Sequence, residues 1–327
     1  MSHLIKRYGG AAGMLLVFAF FALALPDTFL TARNMLNISQ QISMLAVVAV
    51  TMTVAMVMGD FDLSVGAMAS LAGVVAATLF VAGWSIPAAL AAAMLIGLLG
   101  GLFNGIMVSV VGILPFVATL ATLTLFSGLA FMVRDGRTVF GRGIPDAFGD
   151  FARGGPMLGM VDERALVFPN LTIVALVLAF LVWVVLEHTS YGRRLYAIGG
   201  NSEAARLAGL PVISLRLSAF AFTGVGAAIA GLMYASRVAS ANPTQGDGLM
   251  LTAIAAVFLG MTITRDGQPR VLATLAGVAI LGVLDNGLTQ MRVDSYVREV
   301  LVGAIILVAV GFSALSRRGW SLKRRKG

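Results

Sequence analysis

Cysteine is absent from the 327 residues, and histidine occurs only twice, at His3 and His188. The chain therefore has no disulfide framework, no thiolate nucleophile and no thiolate metal site. One histidine stands in a terminus and the other at the end of an apolar run, which argues against a His-based metal or catalytic centre. Charged residues are scarce as well, at 12%. No Gly-x-x-x-x-Gly-Lys-Ser/Thr run occurs, so the chain has no phosphate-cradling loop of that kind. What fills the sequence is apolar. Hydrophobic residues make up 59% and the mean hydropathy is +0.94, outside the range of soluble domains. With so apolar a chain, the net charge of +8 reports membrane topology rather than affinity for nucleic acid.

The apolar runs predict an all-α polytopic membrane protein with about ten membrane segments. They fall near 9–26, 39–58, 63–83, 87–111, 114–133, 169–187, 214–235, 250–262, 270–289 and 297–315. Some are too short or too Gly-rich for plain spans and read as discontinuous. Lys6 and Arg7 precede a first apolar run that reaches Pro26, and it reads as a retained helix. The tail carries Arg317, Arg318, Lys323, Arg324, Arg325 and Lys326, and the connector after the sixth segment carries Arg193, Arg194, Arg206 and Arg216. Both should be cytoplasmic, and an even count of spans places the N-terminus there too. In the loop 134–168, by contrast, Asp135, Asp146, Asp150, Asp162 and Glu163 balance its five arginines. That loop is expected on the outer, periplasmic face, folded over the mouth of the bundle. The whole of 1–327 reads as one transmembrane domain.

A short polar stretch carries the clearest local structure. In 187–213, Asn201 or Ser202 can cap a helix, Glu203 sits in its first turn, Arg206 near its last, and Gly209 with Leu210-Pro211 stops it. So defined a helix on the membrane surface suggests a handle for a soluble partner. A second polar stretch, Met58-Gly-Asp-Phe-Asp-Leu-Ser-Val-Gly66, sets two carboxylates between long apolar runs, where charge is expensive and usually purposeful. Gly59 and Gly66 allow the helix to break there. Asp60, Phe61, Asp62 and Ser64 then either line a polar passage or, for Asp62 and Ser64, cap the following half-helix. Asn104 and Asn286 stand beside small residues, where an amide either joins helices or lines the translocation pathway. A weak repeat joins the halves: Ala69-Ser-Leu-Ala-Gly-Val74 recurs as Ala273-Thr-Leu-Ala-Gly-Val278, each copy after a Gly-interrupted break. With ten spans the halves start on opposite sides, which implies an inverted repeat.

Three runs together carry a family resemblance: Ala197-Ile-Gly-Gly-Asn-Ser-Glu-Ala-Ala-Arg-Leu-Ala-Gly-Leu-Pro-Val212, the Gly-Asp-Phe-Asp-Leu-Ser-Val break at 59–65, and Leu-Ala-Thr-Leu-Thr-Leu-Phe-Ser-Gly-Leu-Ala at 120–130. They resemble the permease subunit of bacterial sugar ABC importers of the ribose/xylose/arabinose group, with the Gly-Asp-Phe-Asp variant nearer to arabinose permeases. The resemblance implies a non-enzymatic, multi-pass inner-membrane subunit with no cofactor. Its partners would be a separate ATPase, a periplasmic sugar-binding protein, a second permease copy (identical or related) and membrane lipid. By the family pattern Gly200, Asn201, Ser202, Glu203, Ala204, Ala205, Arg206, Leu207 and Gly209 would couple to the ATPase. The chain departs from the pattern at its second break, Gly260-Met-Thr-Ile-Thr-Arg-Asp-Gly-Gln-Pro-Arg270, where charges replace glycines.

Two other classes compete with this reading. An ion-coupled secondary transporter would use the intramembrane carboxylates Asp60 or Asp285, but leaves the 200–209 helix without a role. A prenyl-transferase-like intramembrane enzyme would need two Asp-rich magnesium sites, and only Asp60-x-Asp62 is available.

Overall fold

A computed structural model describes residues 2–311 except 162, 265, 305, 306 and 308–310. At membrane depth each backbone N–H and C=O must find its partner within the protein, so the apolar runs wind into helices. In chain order these are α1 (Ser2–Ala24), α2 (Ala32–Met56), α3 (Val65–Val81), α4 (Ile86–Ser109), α5 (Pro115–Met132), α6 (Asp146–Arg153), α7 (Asn170–His188), α8 (Ser190–Gly200), α9 (Ser202–Leu207), α10 (Val212–Val238), α11 (Leu249–Met261) and α12 (Val271–Gln290). Among the described residues, α2, α4, α5, α7, α10 and α12 are long and apolar enough to cross a membrane; 13–24, α3 and α11 are shorter apolar helices. The protein is an all-α, multi-pass membrane protein. The expected segments from 9–26 to 270–289 coincide with helices, the ends differing most at the starts of α1, at 2 instead of 9, and α2, at 32 instead of 39. The segment 297–315 begins in helical turns at 295–304 and then, like the basic tail, leaves the described residues.

Helix α10 is the packing centre, and its small residues let neighbours approach to backbone contact. A methyl group added at Gly224 would strike Gly97 of α4, one at Gly226 would strike Thr51 of α2, and one at Gly231 would strike Ala69 of α3. Side-chain hydrogen bonds then fix directions. Thr53, late in α2, pairs with Thr274, early in α12, at 2.9 Å. Asn34, early in α2, donates to Asn286, late in α12, at 3.1 Å. Hence α2 and α12 are antiparallel, and the breaks after α2 and before α12 share one end of the bundle. Helices α8 and α9 pack at that end too, with Leu195 and Ile198 buried against Val54 and Val57; we term it the connector end.

This arrangement corrects one expectation. Asp60 contacts Arg216, Asp62 contacts Thr223 and Ala69 contacts Gly231, in that order along α10. Helix α3 therefore runs away from the connector end, as α12 does. The two copies of the Ala-x-Leu-Ala-Gly-Val run point the same way through the bundle. They are parallel starts from two breaks at one end, so they do not mark an inverted repeat.

The loop 134–168 is ordered by contacts to the opposite end. Strand β1 (Val139–Phe140) pairs with β4 (Ser240–Ala241) just beyond α10, and β2 (Met157–Val161) forms a hairpin with β3 (Arg164–Val167). Helix α6 sets Phe148 against Phe80 of α3 at 5.0 Å between ring centres. Ser236 Oγ donates to the Phe148 carbonyl at 2.5 Å, and Gln40 Nε2 to the Ala152 carbonyl at 2.7 Å. The loop thus closes over the ends of α2, α3 and α10.

Candidate functional site: two helix breaks and the connector

The first break begins where α2 runs out. Gly59, at φ +83°, takes a left-handed turn that costs other residues strain, and the Gly59 and Asp60 amides return to the Met56 and Ala55 carbonyls at 3.0 and 3.3 Å. The chain then climbs alongside α10. Arg216 and Thr223 lie two turns apart on α10, so Asp62 sits further from the connector end than Asp60. Gly66 is no hinge. It is helical, and a methyl group there would come within 2.7 Å of the Gly246 carbonyl, so it serves close packing against the segment before α11.

Asp62 is 1% exposed and closes a network drawn from four elements. Its Oδ1 accepts from the Ser64 amide at 3.0 Å, from Ser64 Oγ at 2.6 Å and from Asn104 Nδ2 of α4 at 3.4 Å; its Oδ2 accepts from Thr223 Oγ1 of α10 at 2.5 Å. Asn104 Nδ2 also donates to Ser64 Oγ at 2.8 Å, and Thr122 Oγ1 of α5 donates to Asn104 Oδ1 at 2.7 Å. A buried carboxylate tolerates its loss of water only when several donors replace it. Here they pin the start of α3 to three other helices. Asp62 does cap through the Ser64 amide, whereas Ser64 itself makes no capping bond and serves as a bridge. Asp60 is buried and pairs with Arg216 Nε at 2.8 Å; Phe61, between them, packs on Phe258 of α11. Asp62, Ser64 and Asn104 are thus enclosed in the helix packing rather than set along an open passage through this chain.

Asn286 likewise joins helices, accepting from Asn34 and, at 2.9 Å, from Gln290 Nε2. Its neighbour Asp285 accepts from Gln41 Nε2 at 2.5 Å and pairs with Arg298 Nη1 at 2.8 Å.

At the second break, charges stand where glycines were expected, and more distant groups hold the backbone. Glu187, at the end of α7, accepts from the Val271 amide at 3.0 Å and so satisfies one of the free N–H groups at the start of α12. Tyr196 of α8 donates its hydroxyl to the Pro269 carbonyl at 2.9 Å. Burial first, and then the charge of Glu187, push the Tyr196 phenol up to about 12, so it keeps its proton and remains a donor at neutral pH. The same α8 touches the first break: Gly199 lies so close to the Val57 carbonyl that a methyl group there would overlap it.

The connector, expected as one short helix, is two. Asn201, in extended conformation, ends α8 and caps α9, its Oδ1 accepting from the Ala204 amide at 2.9 Å. Gly209, at φ +82°, ends that helix. Glu203 and Arg206 face outward as an exposed ion pair at 2.6 Å; the hydrogen bond from Arg206 holds the Glu203 carboxyl below its ordinary range. Leu207 beside them is 73% exposed, while Ala205 turns inward. Gly200 has open space above it. The structure thus brings the 200–209 residues, Ala205 excepted, together on an outward surface, and the 59–66 residues together at the first break. Arg216 and Thr223, which hold the first break to α10, and Tyr196 and Glu187, which hold the second, carry no local motif; only the long apolar runs around them hinted that a polar group there needs a partner.

A family profile described as a branched-chain amino acid transport system permease component matches residues 34–310. The chain belongs to this permease family. The permease is 36% identical to the ribose import permease RbsC of Bacillus subtilis over 307 residues, covering 94% of this chain and 92% of that protein. It is 36% identical over 299 residues to RbsC of Escherichia coli K12, covering 90% of each. It is 33% identical over 316 residues to the L-arabinose ABC transporter permease AraH of Azospirillum brasilense, covering 96% of this chain and 89% of that protein. No solved structure matches the chain. The resemblance to permeases of sugar ABC importers, read from the three sequence runs, is thereby confirmed.

Proposed function

We propose that this permease is the membrane subunit of an ATP-driven monosaccharide importer of pentose type, resident in the bacterial inner membrane and working as a dimer with a separate ATPase and a periplasmic sugar-binding protein. The observation that carries the reading is similarity over nine-tenths of the chain to permeases named for ribose and L-arabinose. The family description names branched-chain amino acids, so the sugar reading rests on those individual relatives. The exposed, capped α9 supports an ATPase handle: a charged pair beside a bare leucine on a rigid helix is a compact docking feature. On this reading the connector end and both termini are cytoplasmic, and 134–168 is periplasmic.

The permease works as a gate. ATP-driven closure of the ATPase pair displaces α9, and the bundle converts between outward and inward openings. A sugar is uncharged, so its passage asks for weak polar contacts only; tight binding would slow release. Asp62 and Asn104 hold the wall rather than touch the sugar. The ion-coupled alternative finds no free carboxylate at the residues proposed for it, since Asp60 and Asp285 both sit in ion pairs. The test is uptake by proteoliposomes holding permease, ATPase and binding protein, offered labelled ribose, L-arabinose, xylose and leucine with and without ATP. ATP-dependent uptake of a pentose is expected. Uptake of leucine alone, or uptake driven by an ion gradient without ATP, would overturn the proposal.

A further inference from the structure

The charged second break is the one motif that the importer reading leaves unused. Its position supplies a role. Helix α12 begins directly after it and runs 20 residues, about 30 Å. Its far end is fastened to α2 through Asn34–Asn286 and Gln41–Asp285, and to the last described helical turns through Asp285–Arg298. Its near end is held from both sides of the turn into the connector, by Glu187 at the end of α7 on the Val271 amide and by Tyr196 of α8 on the Pro269 carbonyl. Both bonds go to backbone groups. They therefore do not depend on which side chains the break carries, and this explains how charged residues replace glycines there without loss of the joint. The connector limb is also wedged against the first break by the contact of Gly199 with the Val57 carbonyl, and Tyr191 shares a hydrogen bond of 2.8 Å with Ser218 of α10.

We propose that Tyr196 and Glu187 are positioning residues that transmit displacement of the connector into α12, so that ATPase movement reaches the opposite end of the bundle through one rigid helix. The proposal rests on the importer reading and adds the route. A joint of this kind converts motion only if its two sides move as one body. Proximity alone does not establish a route, and coupling must be measured as a non-additive effect.

The experiment uses the reconstituted importer with four variants: Tyr196→Phe, Glu187→Leu, Glu187→Gln, and Tyr196→Phe with Glu187→Leu. Phenylalanine keeps the ring and removes the donor; glutamine keeps an acceptor oxygen for the Val271 amide and leucine does not. ATPase recovery on the purified permease, ATP hydrolysis and sugar transported per ATP are recorded together. Tyr196→Phe and Glu187→Leu should bind ATPase and hydrolyse ATP as the native chain does, yet move on the order of fivefold less sugar per ATP. Glu187→Gln should restore the ratio, and the double variant should be no worse than the poorer single one, because both bonds hold one joint. An unchanged ratio in Tyr196→Phe would overturn the proposal. So would equal loss of ATPase binding, hydrolysis and transport, which marks a merely structural role. Absence of ATP-driven uptake by the native chain would instead remove the importer reading itself.

Discussion

Asp62 offers the sharpest test of whether the intramembrane carboxylate acts by charge or by geometry. In Asp62→Asn, Oδ1 keeps its place as acceptor for the Ser64 amide and hydroxyl. The new amide faces Thr223 Oγ1, whose single hydrogen is claimed by both Asp62 Oδ2 at 2.5 Å and the Phe220 carbonyl at 2.8 Å. An amide there donates to Thr223 and releases that hydrogen to Phe220, so the network closes again. What is lost is the extra strength of charge-assisted bonds, about 1 kcal/mol. Asp62→Leu differs. Asn104 keeps its bond to Ser64 Oγ and Thr223 keeps Phe220, but the Ser64 amide and the Ser64 hydroxyl hydrogen lose their acceptor. Two orphaned buried donors at about 1–3 kcal/mol each give ~2–6 kcal/mol, a large share of the ~5–15 kcal/mol that holds a typical domain. Membrane yield, melting of the detergent-solubilised protein and uptake are measured side by side. Asp62→Asn should stay near native on all three, and Asp62→Leu should lose yield and melt earlier. If both variants reach the membrane at native levels with native melting and neither transports, the geometric account fails and the charge itself is needed.

Exchanging the charges of the α9 pair, Glu203→Arg with Arg206→Glu, should keep the permease folded, because the pair is fully exposed, yet sharply reduce ATPase recovery in a pull-down; undiminished recovery and transport would refute the docking role. The Glu203 carboxyl is held below its ordinary range, so any support it gives α9 is present above the unfolded carboxylate range and is lost only as pH falls through the lowered folded value. ATPase recovery should therefore be flat from pH 6 to 8. Single cysteines at Ser190 and Leu158, both exposed in this cysteine-free chain, should react with an impermeant thiol reagent on intact cells at 158 and not at 190; the reverse pattern would invert the topology. Gly231→Ala should lower yield and melting temperature, since the added methyl group meets the Ala69 carbonyl and helix separation is the only relief; a native melting curve would show that the α3–α10 contact is looser than described.

The spans were legible because span length and apolar composition are properties of contiguous sequence, and the membrane imposes helix on any such run. The cap at Asn201 and the stop at Gly209 were legible for the same reason, each being a rule of local chemistry. What escaped was every relation across the chain. Arg216 reads in sequence as one more cytoplasmic charge; its partner Asp60 lies 156 positions away. Thr223 looks like an ordinary polar residue inside a span, and only the fold shows that it meets Asp62. The amphipathic nature of α8 is obscured by Arg193 and Arg194 on its exposed side, so only the one helix capped at Asn201 or Ser202 was expected in the connector, although Leu195 and Ile198 before it are buried. The two Ala-x-Leu-Ala-Gly-Val runs were misread as marks of an inverted repeat because five identical residues and a Ser/Thr pair carry no direction; direction came from Thr53–Thr274 at one end and Asn34–Asn286 at the other. The second break shows the same limit from the opposite side. Its own charges pair locally, Arg270 with Asp266, yet two further groups that secure it come from Glu187 and Tyr196, on the far side of α10 and α11 in sequence. A local rule can say that a break needs partners, and only packing can say which residues supply them.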